Sequence, residues 1–433
     1  MILRELVVSN YRAFREERFQ FSERVTVIAG VNGRGKSAIL DGLALLLSRL
    51  LPQVTPAKGG YKYLRPQDIH YGENELTLGL SATFENIPID FSIDYDLQRG
   101  QRPTKLLPQV KREIRYIYGN TQRMGDAAPI AVFYTTDRAA YRLPKKLLKG
   151  LPDTQSAAYH GALSNRQIDF RDFMSRYRTW SYGLEIGEDR IGVKRQTLDA
   201  IDRAVRIFLP EFGNVEVLTE PTLRLVVSKL GQQLDLTQLS DGERSLLAMM
   251  IDLCRRLSLA NPELDDPLQG AGVVLIDEIE LHLHPRWQRE IVDKLRITFP
   301  NIQFVLTTHS PFVVQTLREG ELRLLGDFQE DEALQDPGDY ANRGLEEVVT
   351  KVMGITDPNV VPRYAQMLDA AHEYYLLLET AQPGNSNQLA LLKARLDQLI
   401  QPFPDDAAYR AFLEVQRVAA FGEGLRDPYE GGN

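Results

Sequence analysis

The chain has 433 residues, 43% hydrophobic and 25% charged, with a formal net charge of −8. That is globular composition with length enough for a large core, and its acidic balance excludes a surface that is basic throughout. Cys254 is the one cysteine, so no disulfide can form within the chain; with no basic n-region in "MILRELVVSNYR" and no apolar stretch of membrane-spanning length, the expectation is a cytoplasmic protein without a membrane partner.

In chain order, "ILRELVVSNYRAF" and "ERFQFSERVTVIAG" read as strands, the second leading into "GVNGRGKS" (30–37). "KSAILDGLALLLSRLL" repeats its apolar residues at helical spacing. Residues 75–96 read as an antiparallel pair turned at Asn86–Pro88. The basic runs "KLLPQVKREIR" (105–115) and "RLPKKLLK" (142–149) read as solvated helix faces, with a binding patch as the alternative. "APIAVFYTTDR" (128–138) is a further buried strand, and residues 139–211 are mainly helical in pattern. "VEVLTEPTLRLVVSKLGQQLDL" returns to strands, and "GERSLLAMMIDLCRRLSLA" is a long helix. "GVVLIDE" and "IQFVLTTHS" are short, nearly continuous apolar runs, as strands buried on both faces of a parallel sheet should be. An acidic loop follows, then helical segments to the end. The expected divisions are 1–138, a helical insertion 139–211, 212–328, and a helical tail 329–433.

The chemistry gathers where strands end. Gly30, Gly35, Lys36 and Ser37 fit G-x-x-x-x-G-K-[ST] between a strand and a helix, with Asn32 and Gly33 inside the same loop. Glycines let backbone N–H groups close around phosphates, and the helix turns its N-terminus to the same anion. Lys36 should reach the β- and γ-phosphates, and Ser37 should ligate Mg²⁺. "VVLIDE" delivers Asp277, suited to anchor Mg²⁺, and Glu278, suited to accept a proton from attacking water. "FVLTTHS" delivers His309, which can hydrogen-bond a γ-phosphate. The His-x-His of "ELHLHP" lacks further ligands at zinc spacing, and Pro285 reads as the first residue of a helix.

"LSDGERS" (239–245) raises a separate question. Ser240 and Glu243 form S-x-x-E, a capping box. The cap does not explain Gly242, because glycine in a helical turn costs up to roughly 1 kcal/mol against alanine. Glycine is tolerated where something must come close to the backbone. Ser240, Gly242 and Glu243 at a helix N-terminus then suggest a second anion site, for a γ-phosphate from elsewhere.

The set "GVNGRGKS", "LSDGERS", "VVLIDEIELHLHP" and "TTHSP" resembles the ABC-type ATPases of the SMC, RecF and OLD group. Asp241 departs from the pattern, replacing the first of two signature glycines. The resemblance implies an α/β P-loop ATPase head with a mostly parallel central sheet, antiparallel N-terminal strands, a helical insertion and a helical tail. It implies ATP and Mg²⁺ as cofactors, and a head-to-tail homodimer in which the signature of one subunit meets ATP held by the other. "SNYRAF" (9–14) is similar to the family's N-terminal stretch and implies that Arg12 approaches the nucleotide. "RPQDI" (65–69) sits where a Q-loop should fall, which implies Gln67 as a residue linked to Mg²⁺. The compact insertion looks most like the stand-alone ATPases of antiphage systems, such as the PtuA component of Septu and the retron-linked ATPases, without a TOPRIM nuclease. That resemblance implies an effector partner, a nuclease from an adjacent gene, with DNA or RNA as a further possible ligand. A RecF-like DNA-end sensor and a slow-turnover ATP-dependent scaffold are the alternatives.

Overall fold

A computed structural model describes residues 1–325 apart from 32, 55–61, 85–86, 102–107, 120–126, 140–143, 145, 149–150, 152–153, 165–167, 169 and 187–190, together with 348–350, 352, 366, 370, 373–374 and 386–400. The chain divides into two units, Met1–Gly354 and Ile355–Asn433.

In the first unit, the chain opens as β1 (Ile2–Tyr11), β2 (Phe14–Gln20) and β3 (Val25–Gly30). The stretch "ERFQFSERVTVIAG", expected to be one strand, is therefore two. Ser22 makes the break: its N–H donates to Thr26 Oγ1 at 2.9 Å and its hydroxyl donates to the Val25 carbonyl. Such local side-chain bonds offer the backbone an alternative to a ladder. The hairpin of β4 (Glu75–Phe84) and β5 (Ile87–Asp96) alternates fully buried and less buried residues along β4, the period of a strand with one core face. Of its expected turn at Asn86–Pro88, Asn86 lies outside the described residues, and the pairing resumes at Ile87. With the short β6 (Gly100–Gln101) these strands form an antiparallel sheet in the order β2-β1-β4-β5-β6.

A second sheet is wholly parallel. It joins β3 to β7 (Ile130–Tyr134), β11 (Gly272–Ile276), β12 (Ile302–Thr308) and β13 (Leu322–Leu325), in the order β13-β3-β12-β11-β7. Every residue of β3, β7, β11 and β12 is buried, which is why these strands read as unbroken apolar runs. A third, antiparallel sheet comprises β8 (Phe212–Leu218), β9 (Arg224–Lys229) and β10 (Gln232–Asp235). Gln303 ties the first two sheets together: its amide accepts from Leu3 N at 2.7 Å and donates to the carbonyls of Leu3 and Ser22. Phe299 meets Phe208 and Phe304 at ring separations of 6.5 and 6.4 Å, and truncating one such buried ring costs about 3–5 kcal/mol.

The insertion carries the helices Phe170–Ile186 and Ile191–Phe208. A buried ionic cluster fixes the first of them to the helix Asp241–Ala260. Asp252 accepts from Arg255 at 2.6 Å, Arg256 at 2.7 Å and the Tyr134 hydroxyl at 3.0 Å, while Arg255 also reaches Asp172 at 2.8 Å. Burial opposes the charge on Asp252, but the two arginines outweigh it and hold the carboxyl below its usual range.

The helix Lys36–Val54 is long and apolar enough to cross a membrane, which corrects the expectation that no stretch reaches that length. Its composition has a different cause, since 78% of the apolar window is buried inside the protein. In the second unit, the helix Ser386–Ile400 falls within the expected helical tail, and Arg395 pairs with Glu373 at 3.8 Å.

Candidate functional site

The phosphate loop leaves β3 where that strand lies between β12 and β13. Gly30 has φ +146°, and a Cβ there would stand 2.1 Å from the Leu325 carbonyl oxygen, so only glycine fits. Gly35 has φ +97°, and its missing Cβ makes room for the Phe14 ring, which brings the β1–β2 turn against the loop. Gly33 also takes a positive φ, and Asn32 lies outside the described residues. Lys36 opens the following helix and donates to the carbonyls of Gly30 at 2.7 Å and Val31 at 2.9 Å. Burial lowers its pKa, against the opposing charges of Glu280, Glu278 and Asp277. Ser37, next in the same turn, is exposed.

Two neighbouring strands end beside that lysine. The register pairs Ile276 of β11 with Leu306 of β12 and with Tyr134 of β7. One residue on, Asp277 accepts from the Thr307 hydroxyl at 2.6 Å, and the same hydroxyl oxygen accepts from Glu278 N at 2.8 Å. Glu278 sits at φ +47°, a backbone conformation uncommon for a side-chain-bearing residue and one met at functional sites. Glu280, two residues further, accepts from the Thr308 hydroxyl at 2.8 Å and from the backbone N–H of His309. Burial, then the charge of Lys36, hold the His309 imidazole below its usual pKa, against the three carboxylates.

Lys36, Asp277, Glu278 and His309 are thus brought together beyond the carboxyl ends of β3, β11 and β12, where open α/β sheets hold ligands. Glu280 and Arg138 belong to the same cluster and were missed in the sequence. The charge of Glu280, like those of Asp277 and Glu278, bears on Lys36, His309 and Arg138. Its signal was a third carboxylate in "DEIE"; Arg138 carried none beyond its place after a buried strand.

Ser240 caps the helix Asp241–Ala260 as the sequence motif requires. Its side chain accepts from Glu243 N at 3.4 Å, while Ser240 N and Oγ each donate to Glu243 Oε2 at 2.9 Å. Glu243 also pairs with Lys229 at 2.6 Å. Burial works against the Glu243 charge, but the bonds from Lys229 and Ser240 prevail and hold the carboxyl below its usual range. Gly242 has a partner within the chain: a Cβ there would meet the His282 carbonyl oxygen. Packing against the His282 loop therefore accounts for this glycine, and an incoming phosphate is not needed to explain it. His284 accepts from Arg286 N and caps the helix Pro285–Thr298, with Pro285 at its first position.

Arg12 and Gln67 line one cavity of about 620 Å³ with Tyr11, Asp41, Lys62 and Asp68. The Arg12 guanidinium is held between Asp68 at 2.9 Å and Asp41 at 2.8 Å, and Lys62 reaches Asp41 at 3.2 Å. Contact of Arg12 with an anion would have to compete with both carboxylates.

Residues 25–315 match the AAA_21 family, described as "AAA domain, putative AbiEii toxin, Type IV TA system". The chain is 46% identical over 394 residues to the "Retron Ec83 probable ATPase" of Escherichia coli, covering 76% of this chain and 72% of that protein. It is 28% identical over 387 residues to the "Retron Vc95 probable ATPase" of Vibrio cholerae serotype O1 biovar El Tor, covering 75% and 74%. The Septu protein PtuA of Bacillus thuringiensis is 22% identical over 434 residues, covering 98% and 99%. Among solved structures, the SMC head domain from Thermotoga maritima is similar at 16% identity and a TM-score of 0.40, covering 74% of this chain and 94% of that one.

Proposed function

The chain belongs to the AAA_21 family, and on that premise we propose that it is an Mg²⁺-dependent ATPase of an antiphage defence system, which closes on a second copy of itself around ATP and passes its state to a separate effector. The observation that carries the reading is the convergence of Lys36, Asp277, Glu278 and His309 at the ends of adjacent parallel strands.

These residues fit the phosphates of a nucleotide. Gly30 and Gly35 leave room that any Cβ would fill, and the loop feeds a 19-residue helix whose N-terminus favours an anion. Bound ATP with Mg²⁺ supplies the phosphoryl group and the charge that neutralises its oxygens. Lys36 gives up the carbonyls of Gly30 and Val31 and turns its ammonium to the β- and γ-phosphates. Ser37 and Asp277 would hold the metal, and Gln67, which lines the Arg12 cavity, would be linked to it as a Q-loop residue. Glu278 takes the proton of the attacking water. His309, neutral in its surroundings, donates an N–H toward the γ-phosphate and reports its loss.

The signature turn with Ser240 and Gly242, its serine at a helix N-terminus, meets the nucleotide of the second subunit in this reading. The insertion 139–211 and the tail 329–433 dock the effector, a nuclease from an adjacent gene. Steady-state hydrolysis by the purified chain with Mg²⁺, against its Glu278→Gln variant, tests the core of the reading. A wild-type chain that binds ATP without turning it over would leave only an ATP-dependent scaffold.

A further inference from the structure

Arg138 lies in the turn Thr136–Ala139, directly beyond β7. Although a full-length charged side chain, it is 3% exposed. Among the described residues its guanidinium has three acceptors, all main-chain carbonyls: Asp277, Glu278 at 2.5 Å and Thr135 at 3.2 Å. Asp277 N also donates to the Tyr134 carbonyl at 2.9 Å, so β7 stays in register with β11 up to the carboxylates. The two carbonyls flank the peptide that delivers Glu278, whose φ of +47° is rare for a residue with a side chain.

We propose that Arg138 is a positioning residue for ATP hydrolysis, a clamp on two successive carbonyls that holds the left-handed turn aiming the Glu278 carboxylate. The proposal rests on the ATPase reading above. An arginine fork matches this task because its planar N–H groups point at two acceptors at once, whereas a lysine ammonium is a single compact charge. Burial pushes the guanidinium pKa down to about 10, with the charges of Glu280, Asp277 and Glu278 opposing the shift, so the clamp stays charged at neutral pH. Among the described residues, the hydrogen bonds of Arg138 all go to main-chain carbonyls, which leaves its effect to pass through the geometry of Glu278.

The test uses the full chain with Arg138→Lys and Arg138→Met, each alone and combined with Glu278→Gln. Hydrolysis gives kcat and KM, a fluorescent ATP analogue gives Kd, and thermal unfolding reports the fold. In Arg138→Lys, kcat should fall about tenfold or more with Kd within about threefold, the pattern of an interaction needed only in the transition state. In the Glu278→Gln background the same substitution should change turnover less than about twofold, because residues acting as a unit are not additive. Unchanged kcat in either single variant, an additive loss in the double variant, or a Kd that rises in step with the loss of kcat would each overturn the clamp. Unfolding of both variants also overturns it, since Arg138 would then serve the fold. A wild-type chain with no hydrolysis at all defeats the ATPase reading itself, a result distinct from an active wild type that Arg138 does not affect.

Discussion

The carbonyl oxygen of His282 stands 2.4 Å from the point that a Cβ on Gly242 would occupy. The first turn of the helix Asp241–Ala260 is therefore packed directly on the loop that follows Glu278, and two stretches forty positions apart in sequence share one geometry.

Gly242→Ala should be less stable than Ser240→Ala. The alanine methyl forces either the helix or the His282 backbone to move, and overpacking of this kind costs about 1–3 kcal/mol. Loss of the serine cap costs about 1 kcal/mol. Urea unfolding of the two variants compares them directly, and the reverse order of stability would show that the loop yields freely.

Glu278→Gln should keep ATP binding and lose hydrolysis by about 10²-fold or more, the scale of a lost general base. Lys36→Ala should lose binding, because the ammonium facing the β- and γ-phosphates is gone. Filter binding and phosphate release on the two proteins separate the roles. Normal turnover in Glu278→Gln would move the base elsewhere, with Glu280 the next carboxylate to test.

Ser240→Arg and Lys36→Ala should each be inactive alone and regain part of the rate when mixed. Each substitution damages both composite sites of its own homodimer, while a mixed dimer keeps one intact site. Heterodimers that form and yet stay inactive would confine Ser240 to its role as a helix cap, or require both sites to fire together.

The parts of this site that the sequence disclosed are those whose partners lie nearby along the chain. The spacing of Gly30, Gly35, Lys36 and Ser37 encodes a loop, and Ser240 with Glu243 encodes a cap three residues long. Asp277 and Glu278 stand out because four apolar residues precede them. Glu280 reaches His309 across 29 positions only because β11 and β12 run parallel in a given register. Arg138 binds carbonyls, and a main-chain acceptor leaves no mark on residue types. The split of β2 from β3 was hidden because the turn at Ser22 interrupts two stretches that are both strand-like.

His309 should make the ligand-free protein sensitive to mild acid. Its pKa is lowered in the folded chain, first by burial and then by Lys36, while an unfolded histidine keeps a value near 6.5. Between the two values the unfolded chain binds more protons, so stability rises with pH across that window. It is complete above about 6.5 and is lost as pH falls toward the folded value. The thermal midpoint of the wild type should therefore drop more steeply from pH 7 to pH 5 than that of His309→Gln. Parallel slopes for the two proteins would mean that the imidazole titrates alike in both states.

The effector should be captured through the second unit. Lys36, Asp277, Glu278 and His309 all belong to the unit Met1–Gly354, so a chain ending there keeps the residues of the proposed chemistry. Its helix Ser386–Ile400 exposes Leu391 at 74%, a side chain that gains by being covered. A chain ending at Gly354 should bind a fluorescent ATP analogue with Kd within about threefold of the full chain and lose co-purification with the product of an adjacent gene, a loss of at least about tenfold in yield if the interface carries more than 1.4 kcal/mol. Circular dichroism must show the shortened chain folded for the comparison to count. A folded chain that still captures the partner at full yield would shift the docking surface to the insertion 139–211, where the helix Phe170–Ile186 is already fixed to the signature helix through Asp172 and Arg255. In that case Asp172→Ala, which cuts that link, should weaken capture while leaving the phosphate loop untouched.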